Sequence, residues 1–295
     1  MQKGVPVVVV EILSVAYGVF AMIGWGFADF LLKRVVRYVG FYKLLLYTQL
    51  IGLAPIFLLA LVFSPSIPSS QAGIALVIAA GICSFSAMFF FFRAIETGTV
   101  SIVTPVASTS AIVAIALSFA FLGETLSLLQ IVCIAMTSVG VLMVGMRSGS
   151  ADRLNAGIPL VLVSALSAGL ASVLIKLVSV DIGEIATMLF IRVLVVLMLL
   201  MAAPFLKGPL PAEADRGLPL KSILIIGLID FAAFFSFVVG LRVGIVAIVV
   251  PLSSAAPLIT VVLAQTFLRE RLVQIQKMAL VLVIAGILLL SIASI

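Results

Sequence analysis

The hydrophobic residues of this chain fall into ten long apolar segments that are separated by short polar connections. A bilayer core about 30 Å thick is crossed by about 20 apolar residues in an α-helix. We therefore predict ten transmembrane helices, over residues 11–32, 41–63, 71–92, 98–122, 126–146, 157–178, 185–206, 220–241, 244–268 and 272–294. The polar stretch 147–153 divides these segments into five and five.

The second half of the chain repeats the first. Residues 98–130 and 244–276 are identical at twelve of 33 positions, at a constant offset of 146 residues. The matched pairs include Pro105 and Pro251, Ser108 and Ser254, and Glu124 and Glu270. Self-similarity at a fixed offset indicates that each half is one structural unit. We predict two domains, residues 1–148 and 153–295, each a five-helix repeat.

The distribution of basic residues tests how the two halves sit in the membrane. An odd number of helices per repeat requires the second half to enter from the opposite face, as an inverted repeat. Thirteen of the 17 lysines and arginines lie in or beside the connections after segments 1, 3, 5, 7 and 9. By the positive-inside rule this face is cytoplasmic, which places both termini outside.

Composition narrows the class of protein. The chain is 64% hydrophobic and 9% charged, whereas about a quarter of the residues of a soluble domain are charged. We predict an all-α polytopic membrane protein, whose net charge of +6 reflects membrane orientation rather than nucleic-acid binding. The chain has no histidine, which excludes Ser-His-Asp catalysis, Cys-His catalysis and histidine-ligated zinc. We expect no cofactor and no metal site.

Arg192 is the most informative polar residue, because it lies about eight residues inside segment 7. An arginine near a helix centre costs about 2.5–3.5 kcal/mol on insertion scales, so it should face a cavity or an opposite charge. Its equivalent in the first half, at an offset of 143 residues, is Gln49. Two interpretations stay open: Arg192 binds a carboxylate or phosphate of a solute, or it forms a structural ion pair with Asp230 of segment 8.

Two aspartates and a tryptophan are further candidates. Asp230 is either a proton-coupling carboxylate or the counter-charge of Arg192. Asp29 lies one turn before Lys33, so an i,i+4 ion pair explains it without a function, and a coupling role is the alternative. Trp25 is interpreted either as a substrate-stacking residue or as an interfacial aromatic.

Three prolines lie inside apolar segments: Pro105 in segment 4, and Pro251 and Pro257 in segment 9. Each proline removes a backbone hydrogen bond and exposes a carbonyl, which Ser108 and Ser254 can satisfy. Since the serines are repeat mates, we predict two kinked helices that face each other across a pseudo-twofold axis, beside a midplane binding site. Close packing of small residues is the alternative account of these serines.

The repeated motif resembles a known family. It reads Gly-x-Val-x-Ile-Val-x-Pro, then a Ser/Ala-rich segment, then Gly-Glu-x-Leu at Gly123 or Arg-Glu-x-Leu at Arg269, and then Gln130 or Gln276. This pattern resembles the EamA family of the drug/metabolite transporter superfamily over nearly the whole chain. The resemblance implies ten helices and a central cavity walled by helices 1–4 and 6–9. It also implies that both termini are cytoplasmic, which is the opposite of the charge count.

The combined interpretation is a secondary transporter of the cytoplasmic membrane that works by alternating access around a central cavity. Because of Arg192, the expected solute is an amino acid or another carboxylate-bearing metabolite. A passive channel and a multidrug exporter are alternatives. An intramembrane aspartyl protease is disfavoured, because Gly227-Leu-Ile-Asp230 and Ala28-Asp29 lack the sequences around the paired aspartates of such enzymes. We expect a solute and the bilayer as partners and no nucleic acid; a monomer and a homodimer both stay open.

Overall fold

A computed structural model of the chain describes residues 6–97, 103, 106–144, 157–205, 220–268 and 274–293. Within these ranges the secondary structure is helical, without strands. The helices are α1 (Val7–Val39), α2 (Phe41–Phe63), α3 (Gln71–Thr97), α4 (Ser110–Leu117), α5 (Leu128–Val144), α6 (Gly157–Ile182), α7 (Glu184–Ala202), α8 (Leu220–Val243), α9 (Val246–Ser253), α10 (Ala256–Leu268) and α11 (Gln274–Ala293). A wider π-helical turn, Ser118–Leu122, continues α4, and a 3₁₀ turn, Ala203–Phe205, continues α7.

Six of the described helices are long and apolar enough to cross a membrane, namely α1, α2, α3, α6, α7 and α8. The other described helices are apolar but shorter. Large hydrophobic side chains such as Phe20, Phe57 and Phe121 are exposed on the outer surface, as expected for helices surrounded by lipid. The prediction of an all-helical membrane protein is confirmed, while the count of ten transmembrane helices stays a prediction.

The first helix is longer than the sequence predicts. The predicted end at residue 32 is wrong, because α1 continues to Val39 and only Gly40 separates it from α2. Gly40 has φ +75°, and Gly183, between α6 and α7, has φ +86°. This left-handed region is readily accessible to glycine and lets the chain reverse within one residue. The two glycines are repeat mates at the offset of 143, so both halves reverse in the same way.

Segment 9 forms two helices with a turn between them. It is interrupted at Ser254 and Ala255, which separate α9 from α10. Pro257 has no N–H to donate into the helical ladder, and the N–H of Leu258 bonds the carbonyl of Ala255 at 2.9 Å instead of that of Ser254. Pro257 lies in the first turn of α10, directly after the interruption, where proline is tolerated; the predicted kink at this residue stays a prediction. Pro251 lies inside α9, just before the interruption.

The first half has the same interruption at the equivalent position. Ser108 and Thr109 form a turn before α4, and the N–H of Ile112 bonds the carbonyl of Thr109 at 3.0 Å. This bond is the repeat mate of the one between Leu258 and Ala255. The prediction of one continuous helix over residues 98–122 is therefore wrong. Pro105 lies outside the described residues.

Equivalent helices of the two halves make equivalent contacts. Helix α1 packs against α8 as α3 packs against α6, while α2 contacts α7 and α5 contacts α11. At the α5–α11 contact, a Cβ on Gly140 would lie 2.6 Å from Val283 Cγ2, and one on Gly286 would lie 2.5 Å from Thr137 Oγ1. These are equivalent contacts, because both pairs of positions are separated by 146 residues. The two repeats are thus related by a pseudo-twofold axis.

Candidate functional site

A cavity of about 250 Å³ lies between the two repeats. Its wall is formed by α1, α2, α3 and residues 107–110 of the first repeat, and by α6–α10 of the second. No described residue of α5 or α11, which correspond to predicted segments 5 and 10, lines the cavity. This agrees with the wall of helices 1–4 and 6–9 that the family resemblance implies. The charged residues among the described lining are Asp29, Arg192 and Asp230. A largely apolar cavity with a few convergent polar groups is the usual form of a small-molecule site.

A polar network centred on Arg192 forms part of the cavity wall. Arg192 Nη2 donates to Asp230 Oδ2 at 2.9 Å, and Arg192 Nη1 donates to Gln49 Oε1 at 3.1 Å. Trp25 Nε1 donates to the other carboxylate oxygen, Asp230 Oδ1, at 3.3 Å. The structure thus brings four of the predicted site residues together, from helices α1, α2, α7 and α8.

Two residues that the sequence analysis does not identify lie next to this guanidinium. Gly52 lies one turn after Gln49, and a Cβ on Gly52 would lie 2.7 Å from Arg192 Cζ. The ring of Phe234, one turn after Asp230, lies with its centroid 5.3 Å from the same Cζ atom, a distance at which a cation is attracted to an aromatic face. Their i+3 and i+4 spacing from the two polar residues is the signal that could have identified them.

The network holds a charge that is almost completely buried. The Arg192 side chain is 1% exposed and that of Asp230 is 14% exposed. Burial of an ion pair is offset only when other hydrogen bonds complete the coordination, and here the Gln49 amide and the Trp25 indole supply them. Arg192 Nε is buried without a hydrogen-bond partner among the described residues. An entering carboxylate has geometry suited to replacing Asp230 on the guanidinium.

Asp29 lines the same cavity as the Arg192 network. The residue is partly buried. Among the described side chains, no hydrogen bond or ion pair is formed by its carboxylate. The side chain of Lys33, with which an i,i+4 pair is predicted, lies outside the described residues. The structure therefore places Asp29 at the candidate site.

Ser108 and Ser254 meet where the two interrupted segments face each other. Ser108 Oγ donates to the carbonyl oxygen of Ser254 at 2.6 Å, the group that the helix interruption leaves without an N–H from Leu258. Ser110 Oγ lies 3.5 Å from Ser254 Oγ. All three serines line the cavity. The repeat mates that the sequence analysis predicts to face each other are in direct contact.

Glu124, which belongs to the repeated motif, caps a helix of the other repeat. Its Oε1 accepts from the N–H of Val246 at 2.8 Å, and its Oε2 accepts from the N–H of Ala247 at 3.0 Å. The first N–H groups of a helix have no partner within the helix, so this carboxylate satisfies two of them at the start of α9. The sequence analysis does not predict this role. Glu270, the repeat mate of Glu124, lies outside the described residues.

The same turn before α9 is held by two more helices. Ser14 Oγ of α1 accepts from the N–H of Ile245 at 2.9 Å. Lys176 Nζ of α6 donates to the carbonyl oxygen of Gly244 at 2.6 Å and to that of Arg242 at 3.2 Å. Unpaired carbonyls at a helix C-terminus favour a cation at this point. Ser14 and Glu124 therefore tie the α8–α9 connection to the first repeat, and Lys176 ties it to α6.

Comparison with known proteins agrees with this architecture. The model of the EamA-like transporter family matches the chain twice, over residues 12–146 and 155–292. A crystal structure of another protein superposes with a TM-score of 0.77, covering 94% of this chain and 95% of that chain at 20% sequence identity. At that identity the likeness shows the fold alone. A comparison with curated protein sequences gave no match.

Proposed function

This chain belongs to the EamA-like transporter family, and we propose that it moves a small organic solute as a secondary carrier. The chain would form ten transmembrane helices in two inverted repeats, with the described six long helices accounting for more than half of them. Inverted repeats that enclose a midplane cavity support alternating access, in which one repeat rocks against the other. The excess of basic residues after the odd-numbered segments supports placing both termini outside the cytoplasmic membrane.

The observation that carries this proposal is the hydrogen bond between Arg192 and Gln49. These repeat mates, separated by 143 residues, meet at 3.1 Å in the wall of the cavity. A buried arginine that bonds its own repeat mate lies at the contact between the two repeats, about which they would rock. Charged groups inside membrane proteins usually mark a transport path or a counter-ion.

The proposed solute is an amino acid or another small molecule with a carboxylate. Its carboxylate would take the place of Asp230 on the guanidinium of Arg192, and Gln49 would keep its own bond. The cavity of about 250 Å³ lies below the range of about 300–1,000 Å³ that is typical of drug-sized ligands. A small metabolite therefore fits better than a bulky drug.

Counterflow in proteoliposomes tests this proposal. Vesicles preloaded with amino acids, organic acids, nucleobases or cationic drugs would be assayed with the native protein, Arg192→Gln and Asp230→Asn. We expect trans-stimulated uptake of a carboxylate-bearing solute that Arg192→Gln abolishes. Arg93→Gln, which changes an exposed arginine outside the cavity lining, is the matched control and should retain uptake.

Two results would contradict the proposal. Flux that rises linearly with solute and lacks trans-stimulation would indicate a passive channel. Equal exchange of cationic drugs by the native protein and Arg192→Gln would remove the arginine from solute binding.

A further inference from the structure

The charges in the cavity wall do not balance. Among the described lining residues, Asp29 and Asp230 are acidic and Arg192 is basic. The ion pair of 2.9 Å assigns Arg192 to Asp230. An ionised Asp29 therefore has no counter-charge among the described lining residues, and this part of the wall then carries one net negative charge.

A second observation concerns a buried hydroxyl group in the same wall. Ser84 is 7% exposed, lines the same cavity, and its hydroxyl has no hydrogen-bond partner among the described residues. Buried hydroxyl groups in proteins are almost always hydrogen-bonded. A polar group of a bound solute would supply the missing partner.

The surroundings of Asp29 suit a cation. Trp25 lies one helical turn before Asp29 on α1, and its ring packs against that of Phe237 at 5.1 Å between centroids. Phe91 and Phe92 line the cavity as well. Aromatic faces attract ammonium groups, and more strongly where water is excluded. A carboxylate in a cavity that aromatic rings also line is thus suited to an ammonium group rather than to an anion.

We propose that Asp29 binds the ammonium group of the solute and that the cavity takes small organic amines and zwitterions but rejects anions that lack an amine. This inference rests on the proposed carrier function and narrows its solute class. An amine brings the charge of the described wall to zero and a zwitterion leaves it unchanged, while an anion adds a second unpaired negative charge in a medium of low dielectric constant. For a zwitterion, Arg192 receives the carboxylate and Asp29 receives the ammonium group.

The single tryptophan of the chain makes the proposal measurable without transport. Trp25 is that tryptophan, and it lines the cavity one turn from Asp29. Its fluorescence in detergent-solubilised protein would be titrated with isoamylamine, leucine and 4-methylpentanoate, which share one branched carbon skeleton. We expect saturable changes with the amine and with leucine, and none with the acid.

Variants separate a binding role of Asp29 from a structural one. Loss of a hydrogen bond to a charged group weakens binding by about tenfold or more, so Asp29→Asn should weaken isoamylamine binding to this degree, while Asp29→Glu should retain it. Ser84→Ala should weaken it less. Lys33→Gln is the matched control: if Asp29 serves only to pair with Lys33, this variant will reproduce the effect of Asp29→Asn.

The outcomes distinguish this inference from the carrier proposal. Equal binding of 4-methylpentanoate and isoamylamine, no response to any amine, or unchanged amine affinity in Asp29→Asn would overturn the assignment of Asp29. Counterflow of anions alone would also overturn it but leave the carrier intact. Amine binding that depends on Asp29, without counterflow of any solute, would instead overturn the carrier.

Discussion

Arg192 and Gln49 occupy equivalent positions in the two repeats and are joined to each other by a hydrogen bond of 3.1 Å. The repeat therefore brings two positions with the same local backbone to one point, where the sequence has placed a donor on one side and an acceptor on the other. An identical pair would not work here, because two arginines would repel each other and two glutamines would leave Asp230 unpaired. Divergence of the repeat at this position is what creates the network.

The ion pair between Arg192 and Asp230 should show strong coupling in a double-mutant cycle. Removing one partner leaves a buried charge unpaired, which typically costs about 3–5 kcal/mol. We expect Asp230→Leu and Arg192→Met each to lower the thermal midpoint in detergent by more than the double variant does. Replacing both partners by apolar residues removes the desolvation cost together with the attraction.

The control for this cycle is Arg93 with Glu96, an exposed pair at 2.5 Å. Exposed pairs contribute about 0–1 kcal/mol, so its variants should change the midpoint little. Additive effects in the Arg192 and Asp230 variants would show that the buried pair is not coupled.

Gly52→Ala should disturb the network without changing any charge. The added Cβ would lie 2.7 Å from Arg192 Cζ, so the guanidinium, which donates to Gln49, has to shift. Overpacking of this kind typically costs about 1–3 kcal/mol. We expect a lower thermal midpoint and weaker solute binding by Trp25 fluorescence. Ala54→Val, at an exposed position of the same helix, should leave both unchanged, and an unaltered affinity in Gly52→Ala would separate the network from binding.

Some parts of this arrangement follow from the sequence and others depend on packing. The apolar segments and the repeat predict the helices, since the hydrophobic thickness of a bilayer fixes their length. The positions of Arg192 and Asp230 within their segments predict that the two residues can meet. Their meeting with Gln49 and Trp25 depends on the rotation of four helices, which periodicity does not determine when all faces are apolar.

The positions of the helix interruptions are likewise not determined by the local sequence. Proline marks where a helix loses a hydrogen bond, but the break at Ser254 lies three residues after Pro251 and three before Pro257. The carbonyl of Ser254 at this break accepts from the hydroxyl of Ser108, a residue 146 positions away. The cap that Glu124 provides is likewise a contact across the two repeats, which no local pattern shows.

Glu124→Ala should destabilise the start of α9. The variant leaves the N–H groups of Val246 and Ala247 without the carboxylate that accepts from them at 2.8 and 3.0 Å. Loss of an N-terminal cap costs about 0.5–2 kcal/mol, and we expect a corresponding drop in the thermal midpoint. Asp181→Asn removes an exposed carboxylate and is the control. An equal effect of both variants would indicate a general response to lost charge instead of a lost cap.

The contact between α5 and α11 should carry stability but not solute recognition. Gly140 and Gly286 allow the two helices to approach closely, and a Cβ on either would lie 2.6 or 2.5 Å from a side chain of the other helix. Small residues at such contacts are the usual means by which membrane helices pack closely. We expect Gly140→Ala and Gly286→Ala each to lower the thermal midpoint, consistent with a cost of about 1–3 kcal/mol, while leaving solute affinity unchanged.

The control for these variants is Ala135→Val, on the exposed side of α5, which should change neither the thermal midpoint nor the solute affinity. Because the two glycines are related by the pseudo-twofold axis, the two variants should have similar effects, and a large effect of only one of them would contradict the symmetry of this contact.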